Sequence, residues 1–545
     1  MKLGSSLISG GSLPERKMVL SSIAENRKSR DGALPPGTGH LRSSVGTADR
    51  PAFASRLIRM QARGPIVNGW LILVVVVGAM ITVADGLTRV SILEREEAWK
   101  GPLEYEPYMG ALLFAGLTFP LMIAYAVKAR VSLSEGLFLW FVFCTAAYTR
   151  DFAYLHWPGT PFFITDVVLL ILLGSIYLLG RPGYSLGLSP VNILLALFLG
   201  AGALSAARGF WGHRVAMVVL RDSALVVYAL FLLVGYHLFR SWLSIKRVAA
   251  WFLLGATLGA LNGLAWFFAV PGERRFIYYG GIYILISLAG TVVAMVNRLL
   301  RPRVGLIFVG VLCLGLALAN SRSLFVSVTV LFFLAMLGGT SIYKKICRAR
   351  LASTVVAASL SAMLVASLFL RTEAGRDFSE RSTEELASGV LNSHQDPTWQ
   401  FRLSAWKEAW KRLEEYPLAG EGFGVPFTFE ELPFDNDPRP HNTFLTVLYK
   451  TGLCGFLPLV ALLIYSLWRG FRSIHCHRKS HRVALLEIAL VAQIAFCLYG
   501  LANLLIESPF LASLFWVSMG LGLRIIRMLD VGRSLQWSFS GERCP

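Results

Sequence analysis

Long apolar blocks follow one another along most of the chain, and short polar or basic segments separate them. Most blocks contain roughly 18–25 residues, the length that an α-helix needs to cross a hydrocarbon core of about 30 Å. Transmembrane β-strands would instead show about ten residues of alternating hydrophobicity, a pattern that we do not find. The pattern predicts an all-α, polytopic membrane protein with about fourteen transmembrane helices. The predicted spans lie near residues 66–88, 108–127, 133–149, 162–180, 189–207, 215–239, 248–270, 275–296, 304–320, 324–340, 352–370, 442–467, 483–505 and 509–526.

Composition and charge agree with a membrane location and exclude a soluble enzyme core. Apolar residues make up 55% of the chain and charged residues 16%, whereas a soluble chain carries about 25% charged residues. Lys and Arg concentrate in the even-numbered connections between spans, the first connection is acidic, and both termini are basic. This bias predicts a multi-pass protein with both termini cytoplasmic. Because the bias also accounts for the net charge of +19, we expect membrane lipids and no nucleic acid among the partners.

The same pattern divides the chain into five segments. Residues 1–65 contain scattered Lys and Arg and no apolar run, so we expect a disordered basic cytoplasmic tail rather than a folded domain. Transmembrane helices 1–11 occupy residues 66–370, helices 12–14 occupy residues 441–526, and residues 527–545 form a second cytoplasmic tail. The single long connection, residues 371–440, is predicted to be a periplasmic loop, and long loops in compact proteins are usually functional.

One stretch of this long loop has the periodicity of an amphipathic helix. Apolar side chains recur at spacings of three and four residues, and charged side chains occupy the opposite face. The apolar stripe consists of Trp399, Leu403, Trp406, Trp410 and Leu413. The stripe predicts a helix that either lies in the outer membrane–water interface or packs on the outer ends of the spans, and the sequence leaves both alternatives open.

Two further motifs are interpreted as structural. The glycines at 420, 422 and 424 suggest a nucleotide-binding loop, but no strand precedes them and they lie on the outer side, where ATP is absent. We expect them to permit a tight backbone path. The cluster of His475, Cys476, His477 and His481 lies in a basic connection without a second pair of ligands. We therefore expect no metal site there.

His441 and Asn442 end the long loop where the twelfth span begins. Either residue is well placed to cap that helix. The positive end of a helix dipole disfavours a charged imidazole, so we expect His441 to remain neutral near pH 7 and to accept a proton. A lone histidine at such a position more often serves only for capping or packing, and the cationic groups predicted on the same side favour a functional role.

Three cationic residues are predicted to meet at the outer side. Arg221 lies about six residues, or roughly 9 Å, inside the sixth span. Arg322 lies in the hinge between spans nine and ten, and Lys450 follows His441 in the twelfth span. A charge within a span costs on the order of 2.5–3.5 kcal/mol, so it is expected to face a polar cavity or partner, although snorkelling also explains Arg221. Their convergence predicts a site for an anion such as a diphosphate.

These motifs together resemble the O-antigen ligase and O-antigen polymerase superfamily. The resemblance rests on Arg402-Leu-Ser-Ala-Trp406, Pro-Leu-Ala-Gly-Glu-Gly-Phe-Gly at 417–424, His441-Asn-Thr-Phe-Leu, Gly452-Leu-Cys-Gly455, the Ser-Arg322-Ser hinge and the Arg221-Asp222 pair. It covers most of residues 215–526. The chain departs from the family in three ways: it has Lys450 near a position that is often acidic, it has more predicted spans than the commoner twelve, and its outer loop is longer.

The resemblance implies a metal-independent glycosyltransferase of the bacterial inner (plasma) membrane, without a cofactor, that acts in cell-surface polysaccharide biosynthesis. Such enzymes take a glycan from a polyprenyl-diphosphate carrier and transfer it to lipid A-core (ligases) or to another glycan (polymerases). His441 would be the general base, Arg221 and Arg322 would bind the departing diphosphate, and Arg402 would be structural. Asn442 and Lys450 are possible further site residues.

A different class of function stays open at this point. A transporter or flippase for a lipid-linked or anionic substrate would also place cations in a membrane cavity. It would be expected to have two corresponding halves with interrupted spans near the midplane, which we do not find in the sequence. A purely structural scaffold would leave Arg221 and Arg322 unexplained, so the transferase interpretation is favoured over both.

Overall fold

A computed structural model gives the structure of residues 109–156, 162–178, 189–269, 275–319, 324, 327, 397–427, 439–478 and 480–540. The regular structure of these residues is helical, which confirms the all-α prediction for this part of the chain. The helices are α1 (Met109–Lys128), α2 (Leu133–Ala153), α3 (Ile164–Leu178), α4 (Pro190–Trp211), α5 (Ala216–Val227), the 3₁₀ turn η1 (Tyr228–Leu230), α6 (Phe231–His237), α7 (Trp242–Ala269), α8 (Arg275–Val296), α9 (Pro302–Ala319), α10 (Pro397–Glu415), α11 (Thr443–Cys476), α12 (Val483–Gly500) and α13 (Pro509–Ser540).

Nine helical segments of the described part are long and apolar enough to cross a membrane. They are α1, α4, the continuous run of α5, η1 and α6, then α7, α8, α9, α11, α12 and α13. The α2 helix also coincides with a predicted span but carries Glu135, Arg150 and Asp151, and α3 is shorter. Eleven predicted spans thus correspond to described helices. The predicted spans near 66–88, 324–340 and 352–370 and the predicted tail 1–65 lie outside the described residues.

Large apolar side chains face outward along the helices, as expected for a surface that contacts lipid. The α1 helix exposes Leu112, Leu113 and Leu117 at more than half of their surface, and Ile307 of α9 and Ile464 of α11 are similarly exposed. A soluble protein rarely exposes contiguous apolar patches of this kind. The outward-facing leucines therefore agree with a multi-pass membrane protein.

Two helices continue well beyond the predicted spans. The α11 helix ends at Cys476 rather than near residue 467, and α13 continues to Ser540 rather than ending near residue 526. Hydropathy locates the membrane boundary, where Arg469 and Arg472 appear, but a helix can continue past that boundary because its hydrogen bonds are internal. The apolar pattern therefore predicts which residues cross the membrane but underestimates the length of the helix.

The core of the bundle is formed by α2, α7, α6 and α13. The α2 helix packs on α7 and α1, and α6 packs on α13. Glycines permit these approaches: a Cβ on Gly255 of α7 would lie 2.6 Å from the carbonyl oxygen of Phe143 in α2, and one on Gly235 of α6 would lie 2.6 Å from that of Val517 in α13. Small residues at helix crossings are typical of membrane proteins, where close packing replaces the hydrophobic effect as the driving force.

The helix ends segregate by chemistry. Basic residues that determine the predicted orientation lie at one end, where Arg247 of α7 approaches Glu135 of α2 and Arg524 of α13 donates to the Phe239 carbonyl oxygen. At the opposite end, the C-termini of α2, α4 and α12 and the N-termini of α3, α5, α11 and α13 come together. We call this second end the site end, because the predicted site residues Arg221 and His441 lie in it.

Candidate active site

The α11 helix is broken near its N-terminus, at Gly452. This residue has φ 63° and ψ −167°, far from helical values. The break leaves backbone N–H and C=O groups on both sides without partners in the helix. The segment 417–425, which we call the glycine loop, forms hydrogen bonds with them. Glu421 N and Gly422 N donate to the carbonyl oxygens of Tyr449 and Lys450 at 2.8 and 3.0 Å. In return, the N–H groups of residues 453 and 454 donate to the carbonyl oxygens of residues 417 and 418. The glycine loop therefore repairs the hydrogen bonding of an interrupted membrane helix.

The three glycines of the loop have positive φ angles of 67°, 90° and 81° at positions 420, 422 and 424. A Cβ on Gly420 would lie 2.5 Å from both the Gly452 nitrogen and the Lys450 carbonyl carbon. The prediction that these glycines permit a tight backbone path is confirmed. The motif is a packing device between two backbones rather than a phosphate cradle.

Replacing Gly452 by alanine should destabilise the protein markedly. Alanine at this positive φ costs on the order of 1–3 kcal/mol, and its Cβ would also collide with the Leu418 carbonyl group. Thermal unfolding in detergent should therefore show a clearly lower melting temperature for Gly452→Ala than for wild type. Gly310→Ala in α9 is the matched control, since a Cβ there meets no atom within 4 Å and alanine favours a helix. Equal melting temperatures for Gly452→Ala and wild type would contradict the strained break.

Two arginines hold the glycine loop from the α4 side. Arg208, near the end of α4, donates to the carbonyl oxygens of Ala419 and Gly420 at 3.2 and 2.7 Å. Arg214, in the connection from α4 to α5, donates to those of Glu421 and Phe423 at 3.3 and 2.8 Å. The sequence analysis did not identify these arginines. They satisfy carbonyl groups that the irregular loop would otherwise leave without donors.

Lys450, which is buried, forms an ion pair with the partly exposed Asp222 of α5. Its ammonium lies 2.8 Å from Asp222 Oδ2 and donates to the Val425 carbonyl oxygen at 3.0 Å. The same carboxylate oxygen accepts a hydrogen bond from Gly424 N at 2.8 Å. Lys450 is only 6% exposed. Its charge is therefore partly neutralised inside the protein, whereas the sequence analysis counted it among the cations of an anion site.

The α10 helix confirms the periodicity of the long loop but buries only part of the predicted apolar stripe. Its buried residues are Phe401, Ala405, Ala409 and Leu413, whereas Trp410 and Leu403 are 54% and 43% exposed. The α10 helix thus packs on a span, as one alternative expected, and Leu413 of the predicted stripe is buried there, but Leu403 and Trp410 of the stripe are not. The two alanines allow α10 to approach Tyr449 of α11 closely, while the bulky indoles remain at the periphery. The location of these side chains in the membrane interface stays a prediction.

The end of α10 is fixed to the glycine loop by Arg412. This guanidinium donates to Glu408 at 2.9 Å and to Glu421 at 3.1 Å, and it lies over the ring of Phe427. Burial lowers the pKa of Arg412, but the two carboxylates outweigh that effect and raise it above the usual value. The residue is therefore cationic at any physiological pH and provides a permanent link between helix and loop.

His441 lies at the start of α11 in a strained backbone conformation, with φ 50°. Asn442 is the N-cap, and its side chain accepts a hydrogen bond from Leu445 N at 3.1 Å. The imidazole packs edge-on against the ring of Phe401 in α10, with 6.0 Å between centroids. Trp406 Nε1 donates to the Pro440 carbonyl oxygen at 2.7 Å. The expectation of a cap is confirmed for Asn442, and the α10 helix holds the backbone and the ring of His441.

A cavity of about 470 Å³ opens at the site end. Part of the lining is apolar and includes Leu169, Leu170 and Leu173 of α3. The lining also carries ionisable and hydroxyl groups from five parts of the chain. They are Asp166 of α3, Arg221, Asp222 and Ser223 of α5, Arg439, Thr446, Tyr449 and Lys450 of α11 and the segment before it, and Glu507 before α13. Such an amphipathic cavity suits a ligand with a polar head and an apolar chain.

The structure brings some of the predicted site residues together at this cavity. Arg221 and Lys450 line it, whereas His441 is not one of the lining residues, although it lies in the chain between the lining residues Arg439 and Thr446. Asn442 lines a shallow groove beside Trp406 and Trp410 instead. Arg402 lies on α10, partly buried beside Phe401. Arg322 lies outside the described residues.

Three charged lining residues were not predicted: Asp166, Arg439 and Glu507. Glu507 had a signal in the sequence, because it is the acidic residue of the connection between the last two spans, on the same side as His441. Arg439 lies two residues before His441 and was not given a role. Asp166 had no such signal in the sequence. In the structure its carboxylate accepts a hydrogen bond from Phe163 N at 2.8 Å and closes the first turn of α3.

The family comparison agrees with the motifs. Residues 306–460 match the family model described as O-antigen ligase. The matched segment includes the glycine loop, His441, Lys450 and the break at Gly452, while Arg221 lies outside it. No curated protein matches the chain. The match confirms the resemblance over this segment. Together with the apolar helices, it indicates a multi-pass inner-membrane protein and a glycosyltransferase-type enzyme.

Proposed function

We propose that the protein transfers a glycan from a polyprenyl-diphosphate carrier to a hydroxyl group of a sugar acceptor on the periplasmic face of the inner membrane. The observation that carries this proposal is the amphipathic cavity at the site end. The leucines of its lining suit an isoprenoid chain, and the arginines suit a diphosphate. The matched family implies lipid-linked glycan and lipid A-core as the kind of substrates.

The reaction requires two contributions from the protein. The bond between the anomeric carbon and the diphosphate oxygen breaks while a bond to the acceptor oxygen forms, and the acceptor hydroxyl loses its proton. In our proposal His441 takes that proton, since a positioned imidazole is the commonest general base. Arg221 contacts the diphosphate, whose charge grows as it departs. Arg322, in the segment that the structure does not describe, remains a second candidate for this contact on the strength of the sequence.

Arg221 is suited to this role by its surroundings. It lies in the sixth position of α5, lines the cavity and is exposed there. Among the described residues, no hydrogen bond or ion pair involves its guanidinium, whereas the neighbouring Asp222 is engaged with Lys450. An arginine near a helix N-terminus that is not used by the fold supports a ligand-binding role, because positioning a cation there has no structural benefit.

Reconstitution tests the proposal directly. The purified protein in liposomes should move a labelled glycan from polyprenyl diphosphate to an acceptor and release one polyprenyl diphosphate for each glycan transferred. Two acceptors are offered separately: lipid A-core, which tests ligase activity, and a second glycan on polyprenyl diphosphate, which tests polymerase activity. Product on either acceptor supports the transferase. Liposomes without protein are the control.

The same assay separates the transferase from a flippase. A flippase would carry the labelled lipid to the other leaflet and leave its bond to the diphosphate intact, which a leaflet-specific lectin or quencher detects. Label that changes leaflet but remains on polyprenyl diphosphate would overturn the proposed function. Our proposal predicts the opposite: the labelled glycan leaves polyprenyl diphosphate for the acceptor and remains in the same leaflet.

A further inference from the structure

The ion pair between Lys450 and Asp222 is the point at which three parts of the site end meet. Lys450 belongs to α11, two residues before its break, and Asp222 belongs to α5. The glycine loop contributes the Val425 carbonyl oxygen and the Gly424 N–H group, both bound to the same pair. One ammonium and one carboxylate thus connect the element that carries Arg221, the element that begins at His441, and the loop between them.

Stability alone is a weak explanation of the pair. Withdrawing the Lys450 ammonium from water costs free energy that its attraction to the partly exposed Asp222 carboxylate only roughly offsets, so we expect the pair to stabilise the fold little. They do specify geometry, because both partners must lie at hydrogen-bond distance and in fixed directions. The α11 helix is already broken at this place, and the loop has no regular structure of its own. A geometric constraint is therefore needed there.

We propose that Lys450 and Asp222 are positioning residues that fix Arg221 and His441 relative to each other by fastening the glycine loop between α5 and α11. The inference rests on the proposed glycan transfer. Lys450 acts through the loop and does not bind the diphosphate, because its ammonium is buried and its contacts are to Asp222 and Val425. Arg221, the residue next to Asp222 in α5, is oriented by the rotation of α5 that the pair sets.

The tests are the single variants Asp222→Asn and Lys450→Gln and the double variant that combines them. The amide oxygen introduced by Asp222→Asn would still accept the hydrogen bond from Gly424 N, so that change removes the ion pair and little else. The control is the double variant Arg469→Gln with Asp530→Asn, which removes an exposed ion pair, 3.2 Å long, between α11 and α13 at the other end. Exposed pairs contribute little, so this control should behave as wild type.

The first measurement is amide hydrogen exchange of the full-length protein over residues 417–425. Five amides of the loop are hydrogen-bonded: those of Gly420, Glu421, Gly422, Phe423 and Gly424. If the pair fastens the loop, these amides should exchange at least about tenfold faster in the single and double variants, with little change in α12 or α13. Unchanged exchange would overturn the proposal, and this measurement does not depend on any activity.

The second measurement is glycan transfer, with kcat and the KM for the polyprenyl-diphosphate glycan determined separately. Positioning predicts that both single variants lower kcat by roughly 10- to 100-fold, since a displacement of about 1 Å costs up to 10²-fold. The double variant should be no worse than the singles, because both changes remove one interaction. Lys450→Arg should restore part of the rate.

Direct binding of diphosphate by Lys450 gives a different result. In that case Asp222→Asn would free the ammonium and lower the KM of the donor, while Lys450→Gln would raise it. Such opposite effects would overturn the proposal, as would faster loop exchange with unchanged transfer. If the wild-type protein transfers no glycan at all, the proposed function fails, and the exchange measurement still decides whether the pair fastens the loop.

Discussion

Replacing His441 by alanine is expected to lower the rate of glycan transfer by about 10²–10⁴-fold, the usual contribution of a general base. The loss should appear in kcat, because the acceptor hydroxyl is deprotonated only as the bond to the anomeric carbon forms. Insertion into the membrane should change little, since Asn442 and not His441 caps α11. The measurement is transfer in liposomes at matched amounts of protein.

The strained backbone of His441 calls for matched controls. Alanine at φ 50° is unfavourable, so part of any loss could come from the backbone rather than the imidazole. His213, in the connection between α4 and α5, has φ 51° and is exposed, and His213→Ala imposes the same strain away from the cavity. His441→Asn keeps a side chain that tolerates positive φ. Near-normal transfer by His441→Asn, or an equal loss in His213→Ala, would contradict the assignment of the base.

The spans could be predicted from the sequence because the membrane imposes them one by one. Each apolar block meets the same requirement of length, so α4, α8 and α12 begin within one residue of the predicted boundaries. The charge bias likewise separates the two ends of the bundle. The extensions of α11 and α13 were missed because hydropathy has no information about a helix outside the hydrocarbon core.

The interior of the site could be predicted only where a single residue carried the signal. Arg221 is a charged residue within an apolar span, and Asn442 is a residue type that commonly caps a helix start, so the sequence analysis identified both. The partnership of Lys450 with Asp222 joins positions 228 residues apart. The apolar pattern gives no information about which spans are neighbours, so no sequence spacing links these two residues. The sequence analysis therefore assigned Lys450 to the anion site, although in the structure its charge is paired with Asp222.

The α10 helix shows a similar limit on a local scale. The periodicity of the tryptophans predicted the helix correctly, but hydrophobicity predicted only part of its buried face, namely Leu413. The face toward α11 is chosen by size, because Ala405 and Ala409 allow the helices to approach and indoles would not. In a membrane protein, lipid covers large apolar side chains as well as the core does, so small residues identify the packed face better than large ones.

Arg221 should show the second large effect, and the choice of replacement distinguishes its role. If the guanidinium binds the departing diphosphate, Arg221→Ala should lower kcat by about 10²–10³-fold, as for the loss of one donor to a developing charge. Arg221→Lys keeps the charge but loses the planar fork, so transfer should still fall by at least about tenfold. Stability should be unaffected, because the side chain is exposed in the cavity and no fold contact depends on it among the described residues.

The alternative is that Arg221 only extends along the span toward water. In that case lysine should replace it without loss, since both side chains reach the interface on a long apolar stem. Arg303→Lys is the control, because Arg303 is exposed in the first turn of α9 at the opposite end of the bundle. Normal transfer by Arg221→Lys at matched membrane levels would reject the diphosphate contact at this residue. A loss of transfer in Arg221→Lys together with normal transfer in Arg303→Lys would support a diphosphate contact by Arg221 in the cavity. Both variants keep the positive charge and replace only the planar guanidinium group.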